Sequence, residues 1–497
     1  MTTGRYLTVD LGATSGRVMA GTIDHAHVAL RELHRFANGG VDVEGAQHWD
    51  VLALWVGIVE GLRRSAGEER GALRGIGVDA WAVDFALLDE RGRLLANPRH
   101  YRDPRTLGVP ERLHRRYDPD RMYAATGIQQ MRINTLYQLY AMVEDDDPLL
   151  RSARTLVMIP DLFNGWLSGT FASERTVAAS SQMLRHDGTW ATDVLDHLGI
   201  PTALLPEVLP TGTVLGGLAP WVADQAGLDG EAPVIATACH DTASAVVATS
   251  GLEDAVFVSS GTWSLVGAEL PVPILTSRAR QLGFTNEPGV DGTVRFLKNI
   301  GGMWPLEQCR QQFRREGLAW DWATLLAEAQ RAEPLASLID PWREAFIQEG
   351  DMPGVVRSYC RETKQREPDS VGAIVRCCLE SLALSYRRVI DQLEALTERS
   401  FGELRIVGGG SQNALLNGFV ADACQRPVEA GPVEATALGN LVVQGIAVGD
   451  LESVEQGRAH IASSFPADRF EPAAGERSKE RWSDAYQRFV SLLEAGS

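Results

Sequence analysis

The 497-residue sequence predicts an α/β protein built from two halves of similar design. Segments rich in β-branched and apolar residues alternate with segments of helical spacing, as in layered α/β proteins with much parallel strand pairing. A strand–turn–strand pattern at the start of the chain recurs about 250 residues later, a separation within the size range of domains. We therefore expect two α/β domains, residues 1–245 and residues 246–497, that flank an active-site cleft.

The first half begins with a predicted hairpin. Tyr6 to Asp10 and Arg17 to Ile23 have the apolar, β-branched character of strands, and the small residues of Leu11 to Gly16 join them. His27 to Phe36 can supply a third strand. Asp50 is the predicted N-cap of a helix, because apolar residues recur behind it at helical spacing. These apolar residues are Leu52, Trp55, Ile58, Val59 and Leu62.

The same alternation continues along the rest of the chain. The middle elements are a strand at 75–84, helical or mixed segments at 134–144 and 156–167, a strand at 233–239, a helix at 240–248, and a second hairpin with strands at 255–259 and 263–269. The clearest helix is predicted from Ser370 to Glu398, where apolar residues form one stripe. A strand at 404–407, a helix at 413–424, a strand at 427–430 and a helix at 434–448 follow it.

Composition places the chain among ordinary globular proteins. Apolar residues make up 44% and charged residues 23%, and 47 basic against 65 acidic side chains give a net charge of −18. The acidic balance argues against nucleic-acid or anionic-membrane partners, since both attract basic surfaces. No run approaches the roughly 18 apolar residues of a membrane span.

Cysteine use and the first residues of the chain favour a reducing cytoplasm. The six cysteines are scattered and form no CxxC pair, which suits neither a disulfide framework nor a zinc site. The N-terminal segment has no basic stretch followed by an apolar one, so no secretion signal is predicted. The sequence carries no prediction about oligomeric state.

The first hairpin turn carries groups that suit a phosphorylated ligand. Asp10 ends a strand and can hold a hydrated Mg²⁺, while N–H groups of a small-residue turn can cradle phosphate oxygens. Arg17 can add charge-assisted hydrogen bonds. The turn residues are Ala13, Thr14, Ser15, Gly16 and Arg17. The same pattern also suits an ordinary hairpin turn, in which Asp and Gly are turn formers.

Two glycine-containing turns in the second half have similar potential. Ser259 to Ser264, which includes Thr262, joins the strands of the second hairpin, and its symmetry with the first turn favours function over a simple Ser/Thr turn. The glycines at 408–410 lie between a strand and a helix, where a flat or anionic ligand can approach the backbone closely. They match neither GxGxxG nor a P-loop, and they also suit a tightly packed helix entry.

Asp241 is the candidate general base. It follows a strand and begins a helix in His240-Asp241-Thr242, where the helix dipole would keep the carboxylate ionised with a low pKa. A simple N-cap is the alternative.

A second group of polar and aromatic residues suits a sugar. Trp81, Asp84 and Asn299 lie at predicted strand ends and can stack on a sugar or hydrogen-bond it. A core tryptophan and a turn aspartate are the alternative interpretation.

Taken in order, these motifs resemble the FGGY family of carbohydrate kinases over nearly the whole chain. The motifs include VDLGATSGRVM, IGVDAWAVDFALLD, YRDPRT, CHDTASAV, SSGTWSLVG, LKNIGGMW and VGGGSQNALLN. The resemblance implies duplicated actin-like, ribonuclease-H-type domains. It implies a cytoplasmic enzyme of L-rhamnose catabolism that uses Mg²⁺ and ATP to phosphorylate L-rhamnulose at the 1-hydroxyl. Another ketose, such as L-fuculose or D-xylulose, and a non-catalytic nucleotide-binding regulator are the alternatives.

The resemblance also implies roles for single residues. Asp241 becomes the general base and Asp10 the carboxylate nearest Mg²⁺. The turn from Ala13 to Arg17 and Thr262 face the phosphates, and Gly409 and Gly410 line the adenosine pocket. The residues implied for the sugar are Trp81, Ala82 through its backbone, Asp84, His240, Asp241, Thr242 and Asn299. The resemblance implies that the N-terminal domain binds the sugar and Mg²⁺ and that the C-terminal domain binds the nucleotide.

Two positions depart from the family pattern. The expected WGVD reads WAVD here, so that Ala82 adds a methyl group near the sugar. A glutamine that often holds nucleotide has no single match, because Glu307 and Gln308 both lie near its place. Neither of the two residues is assigned that role.

Overall fold

The computed structural model describes residues 4–68, 72–318, 320–346, 348 and 350–495. The strands are Gly4–Leu11 (β1), Ser15–Ile23 (β2), Val28–Ala37 (β3), Gly40–Val43 (β4), Ala46–Trp49 (β5), Leu73–Ala80 (β6), Phe85–Leu88 (β7), Thr155–Met158 (β8), Ser173–Glu174 (β9), Val208–Leu209 (β10), Thr213–Gly217 (β11), Pro233–Ala236 (β12), Ala255–Ser260 (β13), Trp263–Leu270 (β14), Thr285–Pro288 (β15), Val294–Gly301 (β16), Glu403–Val407 (β17), Val428–Ala430 (β18) and Asp468–Phe470 (β19).

The helices lie between these strands, singly or in runs of up to four. They are Val51–Glu68 (α1), Val109–His114 (α2), Pro119–Thr126 (α3), Thr135–Glu144 (α4), Pro148–Ser152 (α5), Ile159–Ser168 (α6), Arg175–Ser180 (α7), Thr192–Leu198 (α8), Pro220–Ala226 (α9), Asp241–Val247 (α10), Ser277–Gln281 (α11), Trp304–Arg315 (α12), Trp322–Arg331 (α13), Met352–Glu362 (α14), Val371–Thr397 (α15), Ala414–Cys424 (α16), Ala435–Ala447 (α17), Val454–Ser464 (α18) and Glu476–Ala495 (α19). None of the helices in the described ranges is long and apolar enough to cross a membrane.

Both predicted hairpins are confirmed, as β1–β2 and β13–β14. The predicted N-cap is also confirmed, because Asp50 Oδ1 accepts a hydrogen bond from the Ala53 N–H at 3.1 Å. Two predicted strands end earlier in the structure: the strand predicted at 75–84 ends at Ala80, and the strand predicted at 233–239 ends at Ala236. The segment predicted as helical or mixed at 156–167 is a short strand, β8, followed by helix α6.

The chain divides into two compact units that are not consecutive halves. The first unit comprises residues 1–250, 269–296 and 435–466, and the second comprises 251–268, 297–434 and 467–497. The division of sugar and nucleotide between residues 1–245 and 246–497 stays a prediction.

The first unit is organised around a six-stranded sheet in the order β11-β12-β6-β1-β2-β3. β1 pairs antiparallel with β2 and parallel with β6, which pairs parallel with β12. Alternate β1 residues, Leu7, Val9 and Leu11, lie in a core with apolar residues of α1 and α6. The other face of the sheet meets α17, because Cβ atoms added at Gly75 and Gly77 would contact the side chains of that helix. A helix from late in the chain therefore covers strands from its beginning.

The second unit repeats this design. Its sheet contains β16, β14, β13, β17, β18 and β19 in that order. β13 pairs parallel with β17, and β17 pairs parallel with β18, so a hairpin is again followed by parallel strands. The 27-residue helix α15 begins after Ser370, whose side chain accepts a hydrogen bond from the Ala373 N–H. It packs against α13 and α16. The six cysteines are buried, free thiols.

Candidate active site

The β1–β2 turn is held closed by its own backbone and by β3. The Gly12 N–H donates to the Ser15 carbonyl at 2.9 Å, and Asn38 Nδ2 donates to the Gly12 carbonyl at 2.7 Å. Gly16 is required, because an added Cβ would lie 2.3 Å from the Phe36 ring. Thr14 at the tip is exposed, and its neighbours Ala13 and Ser15 are half-buried. The turn therefore presents its backbone to solvent in a fixed shape.

Three carboxylates gather at the ends of the parallel strands. Asp10 is the register partner of Asp79 in the β1–β6 pair, and Ala80 pairs with His240, the residue before Asp241. Asp10 forms an ion pair with Arg17, its partner across the hairpin. Because the carboxyl ends of parallel strands meet at one sheet edge, the three carboxyl groups come together where open α/β sheets bind their ligands.

Asp79 is the most deeply buried of the three. Burial, with added repulsion from Asp10 and Asp241, raises its pKa well above the ordinary value. Asn440 Nδ2, on α17, donates to Asp79 Oδ2 at 2.6 Å and opposes that rise. Asp79 Oδ1 is buried and has no hydrogen-bond partner among the described residues.

Asp241 lies in the first turn of α10 with its side chain 33% exposed. Its Oδ1 accepts from the Thr242 N–H at 2.5 Å and from the Thr242 hydroxyl at 3.1 Å. The low pKa predicted from the helix dipole is wrong, because burial raises the pKa of Asp241. Nearby His240 lowers that pKa and the charge of Asp10 raises it.

His240 connects this carboxylate to a buried ion pair. Its Nε2 lies 3.4 Å from Asp241 Oδ1, and its Nδ1 lies 3.3 Å from Glu287 Oε2. Arg295, which is fully buried, places Nη2 3.0 Å from the same glutamate oxygen. The cation of Arg295 lowers the pKa of Glu287 against its burial. The ion pair of Glu287 and Arg295 therefore contacts the imidazole ring of His240 on the side opposite Asp241.

The segment that follows β6 is held by buried hydrogen bonds around Asp84. Asp84 Oδ2 accepts from Trp49 Nε1 at 2.5 Å and Trp81 Nε1 at 3.0 Å, and Oδ1 accepts from Gln138 Nε2 at 3.1 Å. The Tyr101 N–H adds a contact at 3.3 Å. Asp84 is fully buried, so protein donors occupy both of its carboxylate oxygens. The predicted sugar residues Trp81, Ala82 and Asp84 thus belong to one braced loop.

Burial of Asp84 gives the first testable prediction. Burial raises the pKa of Asp84 from 3.8 to about 6, so the folded protein holds this proton at a pH where the unfolded chain releases it. The stabilisation is present at pH 4 and is lost as pH rises through 6. We expect the unfolding free energy of Asp84→Asn to gain about 2 kcal/mol relative to wild type between pH 4 and pH 7.

Denaturant unfolding of both proteins across that pH range measures the difference. Other buried carboxylates titrate equally in both proteins and cancel. An exposed aspartate, Asp224 on α9, serves as the control, because Asp224→Asn should change the unfolding free energy relative to wild type by less than about 0.5 kcal/mol across that pH range. Parallel profiles for wild type and Asp84→Asn would contradict the prediction.

In the second unit, the turn after β13 and the glycines after β17 lie together. Thr262 is half-buried in the turn, which the Gly261 N–H closes by donating to the Trp263 carbonyl at 2.9 Å. A Cβ added at Gly410 would lie 2.0 Å from Ser260 Oγ, whereas one at Gly409 meets nothing within 4 Å. Gly410 is thus needed for packing, and Gly409 leaves an open, exposed stretch of backbone.

The remaining predicted residues also lie in the second unit. Asn299 is half-buried on β16. Glu307 accepts hydrogen bonds from Arg310 at 2.8 and 2.9 Å, while Gln308 is buried in α12. The side chain of Glu307 is therefore engaged within its own helix.

Sequence reasoning misses Glu287, Arg295 and Asn440. Two of them leave a signal in an apolar context: Arg295 stands between Val294 and Phe296 in a strand, and Asn440 interrupts the apolar run of α17. A charged or amide side chain in such a place must find a buried partner. The partner itself cannot be read from the sequence, because it lies on a distant element.

Comparison with known families and relatives covers nearly the whole chain. The model of the FGGY family of carbohydrate kinases, N-terminal domain, matches residues 5–248, and that of the C-terminal domain matches residues 256–448. A curated relative from Bacteroides thetaiotaomicron, named rhamnulokinase, is 41% identical over 98% of this chain and 99% of its own. A rhamnulokinase from Pectobacterium atrosepticum is 40% identical over 99% of this chain and 97% of its own.

Solved structures show the same fold at low identity. A ligand-bound xylulose kinase from Lactobacillus acidophilus has a TM-score of 0.82 at 15% identity, over 99% of this chain and 98% of its own. A glycerol kinase with ADP from Plasmodium falciparum has a TM-score of 0.78 at 15% identity, over 98% of each chain. The two-domain α/β fold class predicted from the sequence is confirmed.

Proposed function

Because the chain belongs to the FGGY family of carbohydrate kinases, we propose that it transfers the γ-phosphoryl group of ATP to the 1-hydroxyl of L-rhamnulose. The products are L-rhamnulose 1-phosphate and ADP, and the reaction is a step of cytoplasmic L-rhamnose catabolism. The end-to-end match to two relatives named rhamnulokinase supports this substrate. The reaction type is carried by one observation, the half-buried Asp241 carboxylate at the sheet edge that also holds Asp10 and Asp79.

Asp241 acts as the general base. Its Oδ1 is engaged by Thr242, and its Oδ2 accepts from no group in the part of the chain that the structure describes. We assign the proton of the sugar hydroxyl to Oδ2 as that hydroxyl attacks phosphorus. A raised pKa makes this carboxylate a stronger base than an ordinary aspartate. Phosphoryl transfer otherwise depends on positioning and charge neutralisation, which the fixed turns provide.

The residues around Asp10 fit a magnesium ion. Among the described residues, no three or more His, Cys, Asp or Glu side chains are arranged to hold a metal ion. Mg²⁺ suits such a site, because it keeps several waters and binds one or two carboxylates together with phosphates. Asp10 would hold it, and the neighbouring strand places beside it the buried Oδ1 of Asp79, which has no hydrogen-bond partner among the described residues. When bound, the ion neutralises charge on the phosphate oxygens.

The other predicted contacts complete the proposal. The turn from Ala13 to Arg17 and Thr262 bind the phosphates, and Gly409 and Gly410 line the adenosine pocket. The proposed sugar contacts are Trp81, the Ala82 backbone, His240, Thr242 and Asn299, with Asp84 acting through the loop that it braces. The N-terminal domain takes sugar and Mg²⁺, and the C-terminal domain takes nucleotide.

A substrate panel tests the proposal. ADP release with Mg-ATP is measured with L-rhamnulose, L-fuculose, D-xylulose, L-ribulose and glycerol. We expect the highest kcat/KM with L-rhamnulose. A second candidate is a kinase of another ketose, because Ala82 stands where the family pattern has glycine and adds a methyl group at a proposed sugar contact. Preference for another sugar would select this candidate. ATP binding without turnover on any sugar would indicate a non-catalytic regulator.

The pH profile of activity supplies a second prediction. Asp241 must be ionised to accept a proton, and burial raises its pKa in the free protein above 3.8. We therefore expect kcat/KM for the sugar to fall as pH drops, with the acid limb above pH 4. Initial rates between pH 4 and pH 8 measure this limb at saturating ATP. A profile that is flat down to pH 4 would contradict the raised pKa.

A further inference from the structure

A strained turn follows β6 at the loop proposed to meet the sugar. Val83 has φ = +67°, a left-handed backbone conformation that is an outlier for a β-branched residue. The Asp84 N–H donates to the Ala82 carbonyl at 2.9 Å, across that single residue. A positive φ spanned by such a hydrogen bond is the pattern of a γ-turn of the rare, strained kind. Backbone strain persists only where the surroundings enforce it.

Three buried side chains enforce this turn through the two peptide groups of Val83. The Val83 N–H donates to Ser180 Oγ at 3.2 Å. The Val83 carbonyl accepts from Thr135 Oγ1 at 2.6 Å and from Gln138 Nε2 at 3.3 Å. All three side chains are at most 5% exposed. Thr135 and Gln138 come from α4 and Ser180 from α7, so two separate helices hold the peptide groups on both sides of Val83.

The turn leaves one backbone donor open. On one side of Ala82, the Trp81 N–H donates to the Leu11 carbonyl at 3.2 Å, and on the other side Val83 is held at both of its peptide groups. The Ala82 N–H itself donates to no group among the described residues, and Ala82 is half-buried. An amide with fixed neighbours and no internal acceptor is oriented for an acceptor on a ligand.

We propose that Thr135, Gln138 and Ser180 are positioning residues that hold Val83 in its γ-turn, and thereby aim the Ala82 N–H at a hydroxyl or carbonyl oxygen of the sugar. This inference rests on the proposed function. It gives the turn a role in sugar recognition and none in nucleotide binding. It also explains why a residue disfavoured at positive φ is tolerated: the Val83 side chain packs into the core of the first unit, where glycine would leave a void.

The test first removes side chains that hold Val83 and then replaces Val83 with glycine, which needs no such support. In Thr135→Val/Ser180→Ala the turn loses two of its three holding groups, and we expect the sugar KM to rise about tenfold as the strained backbone relaxes. The ATP KM is expected to stay unchanged. Adding Val83→Gly to this double variant restores the sugar KM, because glycine adopts positive φ without support from neighbouring side chains. Adding Val83→Ala, which also shortens the side chain but keeps Cβ, does not restore it.

A matched control removes two other buried hydroxyls. Thr126→Val/Ser181→Ala deletes hydroxyls that donate to a carbonyl three or four residues earlier and accept from an N–H two residues later. Neither hydroxyl bonds Val83, and the sugar KM of this variant is expected to match wild type. An unchanged sugar KM in Thr135→Val/Ser180→Ala would overturn the proposal, as would rescue by Val83→Ala as complete as rescue by Val83→Gly.

Thermal unfolding in the absence of sugar tests the strained turn independently of the proposed kinase activity. If the turn is strained, Val83→Gly is at least as stable to thermal unfolding as Val83→Ala, the reverse of the usual order in regular structure. A Tm clearly lower for Val83→Gly than for Val83→Ala would overturn the strained turn. Absence of wild-type turnover on every sugar, with that Tm order observed, would count against the kinase and leave the strained turn standing.

Discussion

Asp241→Asn is expected to lose nearly all sugar-dependent turnover while keeping ATP binding. The substitution preserves the size of the side chain but removes the charge that accepts the proton of the sugar hydroxyl. Loss of a positioned general base lowers kcat by about 100-fold to 10,000-fold. Steady-state ADP release measures kcat, and calorimetric titration with ATP measures binding.

A first-turn aspartate elsewhere supplies the matched control for this substitution. Asp193 lies in the first turn of α8, a seven-residue helix like α10, but is exposed and paired with Arg185. Asp193→Asn is expected to retain wild-type kcat and Tm. If Asp241→Asn retained more than about a tenth of wild-type kcat, a value outside the range for a lost general base, the assignment would be wrong.

Gly439→Ala is expected to damage both stability and activity. Gly439 lies on α17 where that helix crosses α10, and an added Cβ would lie 1.7 Å from the Ser244 carbonyl oxygen. The contact is with main chain, so one helix must move. We expect the unfolding free energy to fall by about 3 kcal/mol or more, the upper range for overpacking. We also expect kcat to fall, because α10 carries Asp241 and neighbouring Asn440 bonds Asp79.

A glycine-to-alanine substitution at a helical glycine with free space beside it is expected to raise the unfolding free energy instead of lowering it. A Cβ added at Gly418 on α16 meets nothing within 4 Å. Gly418→Ala is expected to raise the unfolding free energy by about 0.5–1 kcal/mol, because alanine has the higher helix propensity. Denaturant unfolding and kcat are measured for both variants. Equal effects at the two positions would show that the α10–α17 contact does not constrain the site.

The sequence was sufficient for elements whose pattern is local. The hairpins β1–β2 and β13–β14 follow from runs of apolar residues around small-residue turns, and α15 follows from a single apolar stripe. The end of β6 at Ala80 could not be predicted, since apolar character continues through Val83. The chain turns there because Ser180, Thr135 and Gln138 bind its backbone, and all three are distant in sequence.

The candidate site divides in the same way. Asp10 and Asp241 could be singled out because each follows a strand, and a strand end is where an α/β sheet exposes polar groups. The ion pair of Glu287 and Arg295 beside His240 could not be predicted from the sequence, because pairing between elements leaves no local pattern. The raised pKa of Asp241 also depends on burial and on the nearby charge of Asp10, and both exist only in the folded chain.

The place of α17 in the first unit has a consequence for synthesis on the ribosome. The six strands of the sheet in that unit and α10 are translated within the first 250 residues, but the helix that covers the sheet begins at Ala435. At about 5–20 residues per second, translation of the intervening segment takes on the order of 10 to 40 seconds. During that time the emerging sheet exposes an uncovered face. We therefore expect the nascent chain to be a chaperone client until α17 leaves the exit tunnel, and the last step of folding to be the closure of the earliest-made sheet.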